Sequence, residues 1–287
     1  MTTATRRAGS PSRAPLGERV LVFAGLIALT IITAFPVVVV AISAFSPPSE
    51  VNQWPPRLFP SRLTLENFDV LLGRLPVALQ SWNSLAFAGA VTLFSLALNT
   101  LAAYALARME FRGRTVVFTV LVVTLMVPFQ ALLLPVYQIT SSLGWVNTFA
   151  GLVIPRAADV AGIFLLRQFM VTLPRDLDSA ARIDGAGEFR IFWSIILPNT
   201  VPALLTMALF NFVNNWNDLL WPLIMTNDSQ VRPLTAGLAL LTGSATASVP
   251  PSVVMAGALI AVLPLVILYL VVQRRFVEGV ALTGLKG

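Results

Sequence analysis

The chain is 287 residues long, 56% hydrophobic and 11% charged, with a mean hydropathy of +0.81. Soluble domains carry about 25% charged residues, so this composition marks an integral membrane protein and excludes a large soluble domain. A formal net charge of +6 with no Cys and no His excludes disulfides, thiol chemistry and imidazole metal sites, and in a membrane protein reports basic loops rather than nucleic-acid binding.

Residues 1–17 are polar and basic, and read as a disordered tail. A first span follows within 18–45, centred on Val20 to Ile42 with Pro36 inside it; it is too long for a signal peptide's apolar core. Residues 46–80 form a connection broken by prolines, with a short helix predicted from Leu63 to Leu72 and Thr64 as its cap. The remaining spans lie within 81–273. They are predicted at Asn83 to Ala105, Thr115 to Val136 (with Pro128 and Pro135), Phe149 to Phe169 (interrupted by Pro155), Pro202 to Met225 and Val253 to Val272. Each of the six runs to about 20 residues, the length a bilayer requires. The fold class is therefore all-α, a polytopic membrane protein with six transmembrane helices. Residues 274–287 form a short basic tail.

Most of the 19 basic residues fall on one side of this map: the N-terminal tail, the loop at Arg108 to Arg114, the segment from Arg167 to Arg190, and the C-terminal tail. The positive-inside rule places both termini and those loops in the cytoplasm.

The segment 174–198 is a charged stretch between two apolar spans. It contains DSAARIDGAGEFRIFWSIILP from Asp178 to Pro198. Ser179 to Asp184 is predicted to form a short helix, and Gly185 and Gly187 a sharp turn or a close backbone approach. Two readings fit: a knob for another protein's cleft, or a loop lying on the lipid surface.

Two polar groups interrupt the spans. Arg156 and Asp159, at i and i+3, are predicted to share one helix face, at depths of about 10 and 15 Å. Buried charge there either pairs and lines a cavity, or sits at the interface if the span begins later. Asn214, Asn215, Asn217 and Asp218 with Trp216 and Trp221 offer amides, a carboxylate and indole faces. That set suits a sugar, and it equally suits a span ending at an aromatic belt. No catalytic set and no G-x-x-x-x-G-K-[ST] stretch is present, so ATP hydrolysis would have to come from another polypeptide.

The 178–198 stretch resembles the EAA loop of ABC importer permeases, E-A-A-x-x-D-G-A followed by I-x-L-P. Ala180, Ala181, Asp184, Gly185, Ala186, Ile195, Leu197 and Pro198 match, and Ser179 stands where the family has Glu. Asn83 to Gly113, Phe164 to Ala186 and Gln273 to Gly287 are similar to carbohydrate-uptake, MalG-like permeases. The resemblance implies a type I ABC importer permease fold. It also implies that Ser179, Ala180, Ala181, Asp184, Gly185, Ala186, Gly187, Leu197 and Pro198 couple the chain to an ATPase, and gives Gly279, Gly284, Lys286 and Gly287 a docking role. The implied partners are a second, MalF-like permease, two copies of a cytoplasmic ATPase subunit, an extracytoplasmic solute-binding protein and a carbohydrate substrate, with no nucleic acid. No cofactor is implied in this chain; ATP and Mg would be bound by the ATPase subunits. In this family the W-N-D-x-x-W-P stretch implies a structural or gating role for Trp216, Asn217, Asp218, Trp221 and Pro222. Arg156, Asp159, Asn214, Asn217 and Asp218 are the pathway candidates. The rival readings are an ABC permease for another solute such as glycerol phosphate, an ion-driven secondary transporter, and a structural membrane protein.

Overall fold

The computed structural model describes residues 16–51, 53, 59–243 and 249–284. The N-terminal tail up to residue 15, and Lys286 and Gly287 at the other end, lie outside the described residues. Among the described residues every regular element is helical.

Helix α1 (Leu16–Ala44) is apolar all round and keeps Pro36 inside it. None of its most apolar window is buried within the chain, as suits a helix whose solvent is lipid. A short α2 (Pro48–Val51) and α3 (Glu66–Arg74) follow. α3 starts after the predicted Leu63, because the Thr64 hydroxyl accepts from the Glu66 N–H and turns the chain there. α4 (Val77–Arg108) is longer than predicted at both ends.

The third predicted span is two helices, α5 (Arg114–Thr124) and α6 (Phe129–Ser142), bent by 100°. The break falls at Pro128, which has no N–H and disfavours α-geometry in the residue before it. The fourth is also broken, by 43°. α7 (Phe149–Val153) passes into a 3₁₀ turn (Ile154–Arg156), and α8 (Val160–Thr172) begins anew with Asp159 as its N-cap.

α9 (Asp176–Ile183) and α10 (Glu188–Ile191) form the charged loop. α10 continues through a π turn (Phe192–Ile196) into α11 (Leu197–Trp216). The fifth span therefore starts near Glu188, and Pro198 sits inside it rather than at its entry. Pro198 has no N–H for the Ser194 carbonyl, and the wider turn, with Leu197 N–H bonded to Phe192 O, absorbs the lost bond. The span also ends early: α12 (Leu220–Met225) is a separate helix. α13 (Leu234–Gly243) occupies part of what reads as a loop, and α14 (Pro251–Gly284) completes the chain. α14 carries helix into the segment read as a tail. Among the described residues four helices are long and apolar enough to cross a membrane, or six if each bent pair is one span.

α4 is the central element, packed along α8 and α11. Three apolar clusters follow its length. Val77 packs with Leu71, Leu234 and Val253 near one end, Phe87 and Val91 with Leu152, Trp221 and Met225 in the middle, and Ala103 and Tyr104 with Leu166, Ile191 and Phe192 near the charged loop.

Candidate functional site

The charged loop is built by local rules. Asp176 and Asp178 fall in the first turn of α9 and Arg182 in the last, each matched to the helix dipole. The stop is a Schellman motif: Ala186 N–H bonds Ala181 O at 2.9 Å and Gly185 N–H bonds Arg182 O at 3.1 Å. Gly185 takes the left-handed conformation that this motif requires, with φ +78°, and a Cβ there would meet no atom of the chain within 4 Å. Of the two readings of Gly185, the positive φ is the one realised within this chain. Ala181 and Ala186 pack together onto the inner cluster beneath the turn. Gly187 has ordinary extended geometry and precedes α10.

Ser179 does not cap α9. It lies mid-helix, and its hydroxyl donates to Arg175 O at 3.2 Å, because the helix begins three residues earlier than predicted. Ala180, Asp184, Gly185 and Gly187 are exposed. Ile183 is 86% exposed and Phe189 76% exposed, on the same loop. Leu197 and Pro198 lie apart from α9, around the π turn and the start of α11.

Among the described residues three ion pairs involve the loop, of which Arg175 with Glu110, at 3.7 Å, is exposed to solvent. Arg108, at the end of α4, is 6% exposed. It donates to Asp178 Oδ2 at 3.1 Å, to Met170 O at 2.7 Å and to Leu173 O at 2.8 Å. One guanidinium thus joins α4, the end of α8 and the start of α9. Removing one member of such a buried pair costs about 3–5 kcal/mol. Arg182 pairs with Glu188 at 2.9 Å, and Glu188 also accepts from the Tyr104 hydroxyl at 2.7 Å. The hydrogen bond to Glu188 holds Arg182 above its ordinary pKa. The pair of Arg182 with Glu188 is half exposed, where such pairs contribute about 0–1 kcal/mol. Arg108 reads in the sequence as a topology-setting loop charge; its buried role had no local signal.

The second site is a polar network among α4, α8 and α11. Arg156 and Asp159 are not partners: the chain breaks between them, so they do not share a helix face. Arg156 pairs instead with Asp218 at 3.1 Å, bonds Asn215 Oδ1 at 3.2 Å and lies 4.6 Å from the centroid of the Phe129 ring. Its contact with Asp218 is purely ionic, since Asp218 Oδ2 accepts no hydrogen bond. Asp159 caps α8 through Gly162 N–H at 2.6 Å, and its other oxygen accepts from Asn99 at 2.8 Å and Asn211 at 3.3 Å. Gly162 is needed for that approach, as a Cβ would lie 2.4 Å from Asn99 Nδ2. Thr92 donates to Asn211 Oδ1 and Ser95 to Arg156 O, which completes the network.

The sequence points to Arg156, Asp159 and Asp218, and to Asn211 and Asn215 as polar residues of the fifth span, but not to Asn99, Thr92 and Ser95. The signal was present: Asn211 and Asn215 at i, i+4, and Thr92, Ser95 and Asn99 at i, i+3, i+7 of an apolar helix, are polar stripes. Asn214 and Asn217 are exposed and stay out of the network; Asn217 bonds back to Val213 O. Trp216 and Trp221 are buried, and their indole N–H groups donate to Ala261 O and Leu152 O. They serve as packing groups, and neither offers an open face to a sugar.

Residues 99–281 match the model of the binding-protein-dependent transport system inner membrane component. The chain is 33% identical to the arabinooligosaccharides transport system permease protein AraQ of Halalkalibacterium halodurans, over 92% of this chain and 95% of that one. It is also 33% identical to the sn-glycerol-3-phosphate transport system permease protein UgpE of Brucella abortus, over 88% and 92%. Its fold matches that of a chain in the crystal structure of a bacterial ABC transporter involved in the import of the acidic polysaccharide alginate, with TM-score 0.80 and 22% identity, covering 93% of this chain and 100% of that one. A family match over more than half the chain, full-length relatives and the same helical architecture agree, and the chain belongs to the binding-protein-dependent inner membrane components, the permease subunits of ABC importers.

Proposed function

We propose that this permease carries a sugar or oligosaccharide across the inner membrane, as one half of a pathway shared with a second, MalF-like permease. Two ATPase subunits dock on α9, bind ATP and Mg, and supply the energy; an extracytoplasmic binding protein delivers the substrate. Both termini and the charged loop lie in the cytoplasm. The observation that carries this reading is the pair Ile183 and Phe189, large apolar side chains that the chain itself leaves uncovered on the charged loop, on either side of the locally built stop of α9. Exposed apolar groups so placed mark a protein or a membrane contact, and the chain's membership of the ABC importer permeases favours the protein contact. The network around Arg156, Asp159 and Asp218 lines the pathway, and Asn214 and Asn217, polar and exposed at the end of the fifth span, face either that pathway or the second permease.

Relatives that carry arabinooligosaccharides and sn-glycerol 3-phosphate are similar to equal degree. Arg156 favours the neutral substrate, because Asp218 already balances its charge. The test is reconstitution. The chain alone in proteoliposomes is expected to hydrolyse no ATP and to take up neither arabinooligosaccharide nor glycerol 3-phosphate. Uptake appears only with the other subunits and ATP. Ion-driven uptake by the lone chain would replace this reading with a secondary transporter.

A further inference from the structure

We infer that Arg108 is a positioning residue that makes α9 part of one rigid body with α4, α8 and α11. The inference rests on the reading of α9 as the ATPase docking helix and names the joint through which its movement reaches the pathway.

The covalent links of α9 are poor levers. On one side it joins α8 through Leu173, Pro174 and Arg175, and on the other it joins α10 through a turn containing Gly185. Both links have backbone torsions that can rotate. A force applied to the exposed face of α9 would swing it about these hinges unless side chains lock it. Besides the packing of Ala181 and Ala186 on the inner cluster, charged contacts resist this swing. The outer ones, Arg182 with Glu188 and Arg175 with Glu110, are solvent-exposed and screened. The inner one is the Arg108 fork, whose side chain and that of Asp178 are 2% and 5% exposed. Arg108 also donates to both Met170 O and Leu173 O at the end of α8, so together with its contact to Asp178 it holds α8 and α9 in one grip.

A planar guanidinium can do this and an ammonium cannot. It presents several donors in a fixed fork, so the angle between its partners is set as well as their distance. The far end of the lever is on the same helix. Asn99, which donates to Asp159, lies nine residues from Arg108, or about 14 Å along α4. Movement of α9 therefore reaches the Asn99–Asp159 contact through one continuous helix. The pair also borders an open cavity of about 330 Å³. Among the described residues Arg108 Nε and Asp178 Oδ1 have no hydrogen-bond partner, so one contact between the two side chains holds the charged joint.

The chain has no cysteine, so introduced cysteines are unique labels. Spin labels at Leu177→Cys on α9 and Leu101→Cys on α4, in the assembled importer with cysteine-free partners, report the distance between the two helices. With Arg108 and Asp178 intact, the distribution should be the same without nucleotide and with ATP bound. In Asp178→Asn it should shift on ATP binding, with the ATPase still co-purifying. Arg108→Lys keeps the charge but cannot span all three partners, and it should show the same shift. A nucleotide-independent distance in both variants would overturn the assignment. So would loss of the ATPase from both while the permease still inserts, since the pair would then shape the docking surface and not the transmission. Failure of the ATPase to bind the unmutated chain would instead sink the docking reading on which the lever rests.

Discussion

Gly185→Val tests whether the end of α9 must be held in one shape. Gly185 has φ +78°, a region where a residue with a Cβ is strained and a β-branched one is an outlier. The strain is about 1–3 kcal/mol. No steric term adds to it within the chain, because the added Cβ meets nothing within 4 Å. The Schellman bonds Ala186 N–H to Ala181 O and Gly185 N–H to Arg182 O would be weakened or lost, and α9 would end in a different turn. Each 1.4 kcal/mol is a tenfold change in an equilibrium constant, so ATPase binding is expected to weaken by about 10- to 100-fold. Membrane insertion should not change, because the loop lies outside the spans. Gly185→Asn is the control. Asn visits the left-handed region at lower cost, so it should retain most of the binding if backbone shape is what matters. The assay is titration of ATPase subunits onto the reconstituted permease, with hydrolysis and uptake read in parallel. Wild-type binding, hydrolysis and uptake in Gly185→Val would refute the reasoning. Strong loss in Gly185→Asn would show instead that a partner's backbone approaches Gly185 closely.

The polar network gives a second test. A double-mutant cycle on Arg156 and Asp218, read as uptake rates, is expected to show a coupling of about 0.5–3 kcal/mol, and a smaller one for Arg156 with Asp159, which are linked only through Asn215 and Asn211. The reverse pattern would contradict the ion pair at 3.1 Å. Removal of Arg156 should affect glycerol 3-phosphate and arabinooligosaccharide uptake alike, since Asp218 already balances its charge; a selective rise in KM for the phosphate would point to an anionic substrate. For orientation, reporter fusions after Gly9 and near Gly113 should signal inside the cell and one near Gly243 outside. An outside signal at Gly113 would overturn the map.

Much of this protein is written locally. The apolar segments announced a membrane protein because the length of a bilayer-crossing helix is set by the bilayer and not by the fold. The α9 stop was legible in Asp184–Gly185–Ala186 because a left-handed turn is a property of a few consecutive residues. Pro155 marked one broken span, whereas the third, with Pro128 inside it, reads as continuous; the angles of 43° and 100° depend on what each half-helix packs against. The fifth span starts ahead of the predicted Pro202, because a π turn absorbs the missing N–H of Pro198 without ending the helix. Partner choice was beyond the sequence. Arg156 reaches past its near neighbour Asp159 to Asp218, and Arg108 leaves its loop to meet Asp178. Helical periodicity tells which residues share a face, but says nothing of which face of α4 meets α8 or α11. That register is decided by packing the whole bundle, and the buried charges then take whichever opposite charge the packing brings within about 3 Å.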